Sequence, residues 1–101
     1  MKPVQIYLGV PQIDKLLVFD VQQGQQLTVR QMIFTNTDVA DSKITVTVNT
    51  VDIMKDFVVT AGETKIIDVA IVLNQNDKLF LQQEKLNAIN VMLTGTSEPM
   101  Y

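Results

Sequence analysis

The chain has 101 residues, no cysteine, no histidine and a net charge of −3. A chain of this length forms one domain and can bury about two-thirds of its unfolded surface. The missing residue types exclude disulfides, thiolate nucleophiles and the usual zinc ligands. The lysines are scattered along an acidic chain, which argues against a nucleic-acid partner.

The first third of the chain alternates between apolar and polar residues, as strands do. Val4, Ile6 and Leu8 mark a first strand, and KLLVFDV marks a second. The third run, QLTVRQMIFTN, loses its phase near Arg30 and Gln31. That break predicts either a β-bulge or a stretch covered on both faces.

The middle of the chain has the clearest alternation. In KITVTVNTV the branched apolar residues face one way, while Thr45 and Thr47 face the other. The run TKIIDVAIVL is apolar on both faces, which predicts a central strand with little solvent contact. Shorter strands are predicted on either side of it, at residues 56–59, 78–83 and 88–94.

Turn residues separate these runs at intervals of about ten residues, as in sandwiches and barrels. The turns are predicted at residues 10–14, 23–26, 36–42, 60–63, 74–77 and 83–87. The pattern predicts an all-β fold, a single small antiparallel β-sandwich of about eight strands that is either immunoglobulin-like or a jelly roll. The domain spans residues 1–101, and residues 96–101 are predicted to be a mobile tail.

No residue pattern predicts catalysis, a metal or a cofactor. Asp38 and Asp41 lie in a polar loop, but two carboxylates without a glycine favour a solvated turn over a cation site. Asp68, with apolar strand neighbours, is the strongest candidate for an acid–base group, although a solvent-facing position is the favoured interpretation. No nucleophile has an activating base. The chain is therefore predicted to be no enzyme, and no apolar run is long enough to predict a membrane partner.

The order of turns and strands over residues 16–95 resembles that of small virion structural proteins of tailed bacteriophages. The matching pieces are Val21–Gly24, Asn36-Thr37, Ile44–Val48, Ala61-Gly62-Glu63, Val72-Leu73, Asn74–Asp77 and Asn90–Gly95. Two departures are Gln-Gln after Val21 and the missing glycine in NQND. In this resemblance, the AGE and NQND turns are the hairpin turns that flank the central strand.

The resemblance implies a capsid decoration or accessory protein that binds the major capsid protein or other virion proteins. It implies a location in the virion, after synthesis in the bacterial cytoplasm and release by lysis. An alternative from another class is a saccharide-binding adhesin or tail-fibre module. Its platform would combine scattered aromatics with Tyr7, Gln22, Gln23, Gln25 and the NTDVADS loop.

A homo-oligomer is also expected, most simply a trimer in the capsid setting. The KITVTVNTV strand has one charge and no proline, and depletion of charge is typical of the centre of an interface. The predicted interface residues are Thr45 and Thr47 on this strand and Met32 and Phe34 on the preceding one.

Overall fold

The computed structural model describes residues 2–11, 14–85 and 87–99. These ranges form eight strands and no helix, so they hold no helix that could span a membrane. The strands are β1 (Lys2–Gly9), β2 (Leu16–Asp20), β3 (Gln25–Asn36), β4 (Ser42–Val48), β5 (Val51–Val59), β6 (Thr64–Leu73), β7 (Lys78–Gln83) and β8 (Ile89–Pro99).

The strands form two antiparallel sheets of four, which confirms the predicted all-β sandwich. Sheet 1 has the order β1-β8-β3-β6, and sheet 2 has the order β2-β7-β4-β5. Strand β1 therefore pairs with β8, β2 with β7, β3 with β6 and β4 with β5. This is one long hairpin wound around a core, with successive pairs placed in alternate sheets. The strand order resolves the open alternative in favour of the jelly roll.

The core lies between the sheets and is built from the inward residues of both. Met32 and Phe34 of β3 are 1% and 0% exposed, and they are among the largest buried side chains. The placement of these two residues at an interface between copies is therefore wrong, because a second copy would not reach them. The Phe34 ring packs at an angle of 50° against Phe57, with 5.9 Å between ring centroids.

A bulge in β3 accounts for the change of phase seen in the sequence. The register of β3 shifts between Val29 and Gln31 against both of its neighbours, β6 and β8. Beyond the shift, Met32 and Phe34 face the core while Ile33 faces outward. The sequence left two alternatives open, a β-bulge and a stretch covered on both faces, and the structure confirms the β-bulge.

A turn that was not predicted separates β4 from β5. The run KITVTVNTV was expected to be one strand, but β4 ends at Val48 and β5 begins at Val51. Asn49 turns the chain with a φ of 58°, in the left-handed region that asparagine tolerates. Its side chain accepts a hydrogen bond from the Lys78 backbone N–H and donates one to Asp77.

The prediction that the TKIIDVAIVL run forms a central strand is wrong. This run is β6, an edge strand of sheet 1 that pairs only with β3. Its outward residues are exposed, and its inward residues are half-buried except Leu73, which is buried at the end of the strand. Apolar residues on both faces predict a strand covered on both sides, but neither face of β6 is fully covered.

The predicted mobile tail is also wrong for residues 96–99, which form the end of β8. Thr96 and Ser97 pair with β1 on one side and with β3 on the other. Backbone hydrogen bonds to two neighbouring strands hold this polar segment. Such bonds do not depend on side chains, so the lack of apolar alternation in the sequence gave no sign of them. Residues 100 and 101 lie outside the described residues.

Two buried amides brace the end of the sandwich where β7 leads to β8. Gln83 is 1% exposed, donates to the carbonyl oxygens of Pro11 and Ile89, and accepts from the Ile89 N–H. Asn36 is equally buried and donates to the carbonyl oxygens of Ala40 and Val59. These side chains satisfy backbone groups that the ladders leave unpaired at the strand ends.

Replacing Gln83 with leucine should lower the free energy of unfolding by about 2–4 kcal/mol. The change removes the partners of buried backbone groups, and each buried group left without a hydrogen bond costs about 1–3 kcal/mol. Urea unfolding measures the loss. The matched control is Gln82→Leu, whose half-buried side chain lies on the other face of β7. Equal unfolding midpoints for the two variants would show that Gln83 does not brace this end.

Candidate functional site

The residues proposed for a saccharide platform do not meet in the structure. The turn at residues 22–25 leads into β3, whose first residue is Gln25, and contacts the β6–β7 turn, where the Gly24 N–H donates to Gln75 over 3.0 Å. The NTDVADS loop follows the other end of β3. A strand rises about 3.3 Å per residue, so the 12 residues of β3 place the turn and the loop at opposite ends of the sandwich.

The aromatic residues do not form a platform either. Phe57 is half-buried against the core, and Phe80 lies on β7 opposite Thr47. Tyr7 also packs against the core, and burial raises the pKa of its hydroxyl. Tyr101 lies outside the described residues.

The loop carboxylates bind backbone amides. Asp38 accepts from the Val39 N–H over 2.7 Å, and Asp41 accepts from the Ala61 N–H over 3.0 Å. This confirms the capped, solvated turn favoured from the sequence. In the part of the chain that the structure describes, no three His, Cys, Asp or Glu side chains are grouped as metal ligands would be. Asp68 is exposed and accepts from Gln31.

The threonine face of β4 is covered by the chain itself. Thr47 is 1% exposed, and its hydroxyl donates to Asp52 over 2.7 Å. The Thr45 hydroxyl accepts from the Asp56 N–H over 3.1 Å, where the β4–β5 register shifts. The irregular strand β5 thus covers and pairs both hydroxyls, so Thr47 in particular is not the flat, free interface surface expected from the sequence.

Beside these threonines, the outer face of sheet 2 carries a polar cleft of about 390 Å³. Three lysines and three carboxylates line it, so their formal charges balance: Lys15, Lys43, Lys55, Asp52, Asp56 and Glu84. The cleft wall combines oppositely charged groups with amides and one threonine.

The exposed apolar side chains are the more distinctive feature. Nine large apolar residues are exposed among the described residues, and five of them lie on β5 and β6. These two strands are edges of their sheets. They lie on the same side of the sandwich, because residues 60–63 alone join them and β5 contacts β3, the neighbour of β6. We call this side the β5–β6 flank, with exposed residues Val51, Ile53, Val58, Ile66 and Val72.

The core is incompletely covered at the β5–β6 flank. The inward residues Ile67, Val69 and Ile71 of β6 are half-buried, whereas the inward residues Val91 and Leu93 of the central strand β8 are 1% and 0% exposed. An edge strand that is long, apolar and lightly charged offers both backbone groups and side chains to another chain. The flank therefore has the properties of a protein-binding surface.

The opposite side of the sandwich carries a second, smaller set of exposed apolar residues. The edge strands there are β1 and β2. We call this side the β1–β2 flank, with exposed residues Leu8, Val10 and Leu17. The ninth exposed residue, Val39, lies in the loop between β3 and β4.

An apolar row crosses the outer face of sheet 1 between the two flanks. Leu8 pairs with Met92, Met92 with Ile33, and Ile33 with Ile66. A shallow groove of about 180 Å³ lies beside this row, between β1, β8 and β3. Sequence reasoning missed both flanks, although the apolar outer positions of β6 were a readable signal.

The turn that joins β5 to β6 is held by polar contacts at the flank. Glu63 accepts a hydrogen bond from Thr60 and pairs with Lys65, with 3.1 Å between Nζ and Oε1. The hydrogen bond from Thr60 and then the contact with Lys65 lower the pKa of Glu63. Because the folded pKa lies below the unfolded one, this contribution to stability is present above the unfolded pKa and is lost as the pH falls through the folded pKa.

Comparisons with known proteins show the fold and overturn the function expected from the sequence. No family model and no curated protein matches the chain. The solved core of Drosophila NLP, a protein studied for pentamer formation and histone binding, is similar with a TM-score of 0.59. It is 18% identical, and the match covers 94% of this chain and 99% of that one. The predicted virion function is therefore contradicted, and the trimer and the capsid partner have no support.

Proposed function

We propose that the chain is a non-enzymatic, self-assembling β-sandwich subunit that binds another copy through its β5–β6 flank. The observation that carries this proposal is the half-buried inner face of β6, where Ile67, Val69 and Ile71 leave the core open to one side. Contact with a second chain would remove this apolar surface from water, at about 25 cal/mol for each Å² buried. The pentamer of the Drosophila neighbour supports self-assembly of this fold.

The test is a double variant, Val51→Lys with Ile66→Lys, at residues that are 60% and 63% exposed. Lysines at a buried interface would have to be desolvated without a partner, which is strongly unfavourable. We expect the parent to be larger than one chain by light scattering after size-exclusion chromatography, and the variant to have the mass of one chain.

The matched control is Val39→Lys, in the loop between β3 and β4, where the side chain is 95% exposed. It adds one positive charge, where the double variant adds two, at a place outside both flanks, and it should assemble as the parent does. A double variant that keeps the parent's mass would overturn the assignment of this flank, and a parent of monomeric mass would overturn self-assembly itself.

A second candidate function is the binding of a basic protein. The net charge of −3 and the isoelectric point near 4.6 favour it, since opposite charges steer association. The similar Drosophila core was studied for histone binding. Fluorescence anisotropy with labelled core histones tests it: the binding expected at low salt should weaken as salt is added. A flat titration at low salt would remove this candidate.

A further inference from the structure

We propose that copies of this chain assemble head to tail, with the β5–β6 flank of one copy seated on the β1–β2 flank of the next. This inference rests on the self-assembly proposed above and names the partner surface. It begins from the distribution of exposed apolar residues. Eight of the nine lie on the two flanks, five on one and three on the other.

The two flanks lie on opposite sides of the sandwich and differ from each other. Sheet 1 ends with β1 on one side and β6 on the other, and sheet 2 ends with β2 and β5 on the same two sides. An interface that joins unlike surfaces leaves one of each kind free after every addition. Such heterologous contacts close into a ring when the rotation between copies permits, and otherwise form a filament.

Charge favours the unlike pairing over contact of the β5–β6 flank with its own copy. Strands β5 and β6 carry three aspartates and two lysines, a net charge of −1. Strands β1 and β2 carry one lysine and one aspartate, a net charge of zero. Self-contact would set a net charge of −1 against −1, whereas the unlike pairing sets −1 against zero, so the difference in favour of the unlike pairing is one unit of charge.

The edge strands also differ in how they are protected. Strand β1 has Pro3 near its start, and β2 has only 5 residues with a register shift after Leu17. On the other flank β5 is irregular as well, with two register shifts against β4, so the open edge there is β6, which has 10 residues and no proline. Proline, short length and bulges protect an edge from continuous pairing. The β1–β2 flank therefore offers mainly its side chains, Leu8, Val10 and Leu17, to the open edge of the next copy.

Mixing two single-flank variants tests this arrangement. The first is Val51→Lys with Ile66→Lys, which blocks the β5–β6 flank. The second is Leu8→Lys with Leu17→Lys, which blocks the β1–β2 flank at residues that are 64% and 45% exposed. Each should be monomeric alone. An equal mixture should have twice the mass of one chain by sedimentation velocity, because one intact interface remains.

Other outcomes separate the two proposals. A parent of monomeric mass overturns both. A parent that assembles, together with a β1–β2 variant that still assembles, overturns only the head-to-tail pairing. Two monomeric variants that do not combine would indicate contact through the outer face of sheet 1. Met92→Lys, at the centre of that face, should then abolish assembly, whereas the head-to-tail arrangement leaves it unchanged.

Circular dichroism of each variant confirms that it is folded before its mass is interpreted. Should a double variant unfold, the single changes Val72→Lys on the β5–β6 flank and Val10→Lys on the β1–β2 flank replace it. Those residues are 52% and 40% exposed. The same mixing result, two monomers that combine into a pair, is expected from them. Failure of two folded monomers to combine would again overturn the head-to-tail pairing.

Discussion

Replacing Phe34 with alanine is expected to lower the free energy of unfolding by about 3–5 kcal/mol, because it removes a fully buried aromatic ring and leaves a cavity. Phe34 is 0% exposed and packs against Phe57 between the two sheets. Domains of this size are stable by only about 5–15 kcal/mol. The unfolding midpoint in urea should therefore fall markedly.

The control for this prediction is Ile33→Ala, on the outer face of the same strand. The loss of this half-buried side chain should lower the free energy of unfolding by about 1 kcal/mol, the centre of the range for point substitutions. If Phe34→Ala had the unfolding midpoint of the parent but lost its oligomeric mass, Phe34 would belong to an interface, as predicted from the sequence, and not to the core.

Replacing Gly95 with alanine is expected to cost on the order of 3 kcal/mol or more, because a rigid neighbour blocks the added methyl group. A Cβ at this position would lie 1.9 Å from the carbonyl oxygen of Thr28. Gly95 pairs with Val29, at the point where the bulge shifts the register of β3. The backbone of β3 or β8 would have to move, and thermal unfolding should show a large fall in Tm.

Gly9→Ala is the matched control for the Gly95 substitution. There the added Cβ would meet the hydroxyl end of the Tyr7 side chain at 2.8 Å, and a side chain can turn away where a backbone carbonyl cannot. We expect Gly9→Ala to cost much less. Similar Tm values for the two variants would mean that the backbones of β3 and β8 can move apart beside the bulge at little cost in stability.

The sequence predicted local features well because each depends on neighbouring residues. Alternation located the strands, and the change of phase before Met32 located the bulge. Turn residues correctly marked most of the connections. The turn at Asn49 was missed although the alternation ends there: Ile44, Val46 and Val48 share one phase, and the next apolar residue, Val51, is out of phase with them. Asn49 turns the chain in the left-handed conformation that asparagine tolerates.

The strand order and the identity of the edge strands could not be predicted from the sequence, because they depend on pairing between residues that are far apart in the chain. The apolar run of β6 fits a central strand and an exposed edge equally well, since alternation does not report whether a neighbour is present. Thr47 was predicted to be a free surface residue for the same reason: alternation within β4 does not indicate that β5 covers this side chain. The function inferred from the order of turns failed, because short turns of this kind suit many sandwiches.

The mass of the unmodified chain in solution tests the central claim most directly. Sedimentation velocity over a range of concentrations, at neutral pH and moderate salt, would report whether copies associate. Self-assembly predicts a species of several times 11.3 kDa at high micromolar concentration, which dissociates on dilution or after the Val51→Lys with Ile66→Lys change. A single species of 11.3 kDa at every concentration would contradict it.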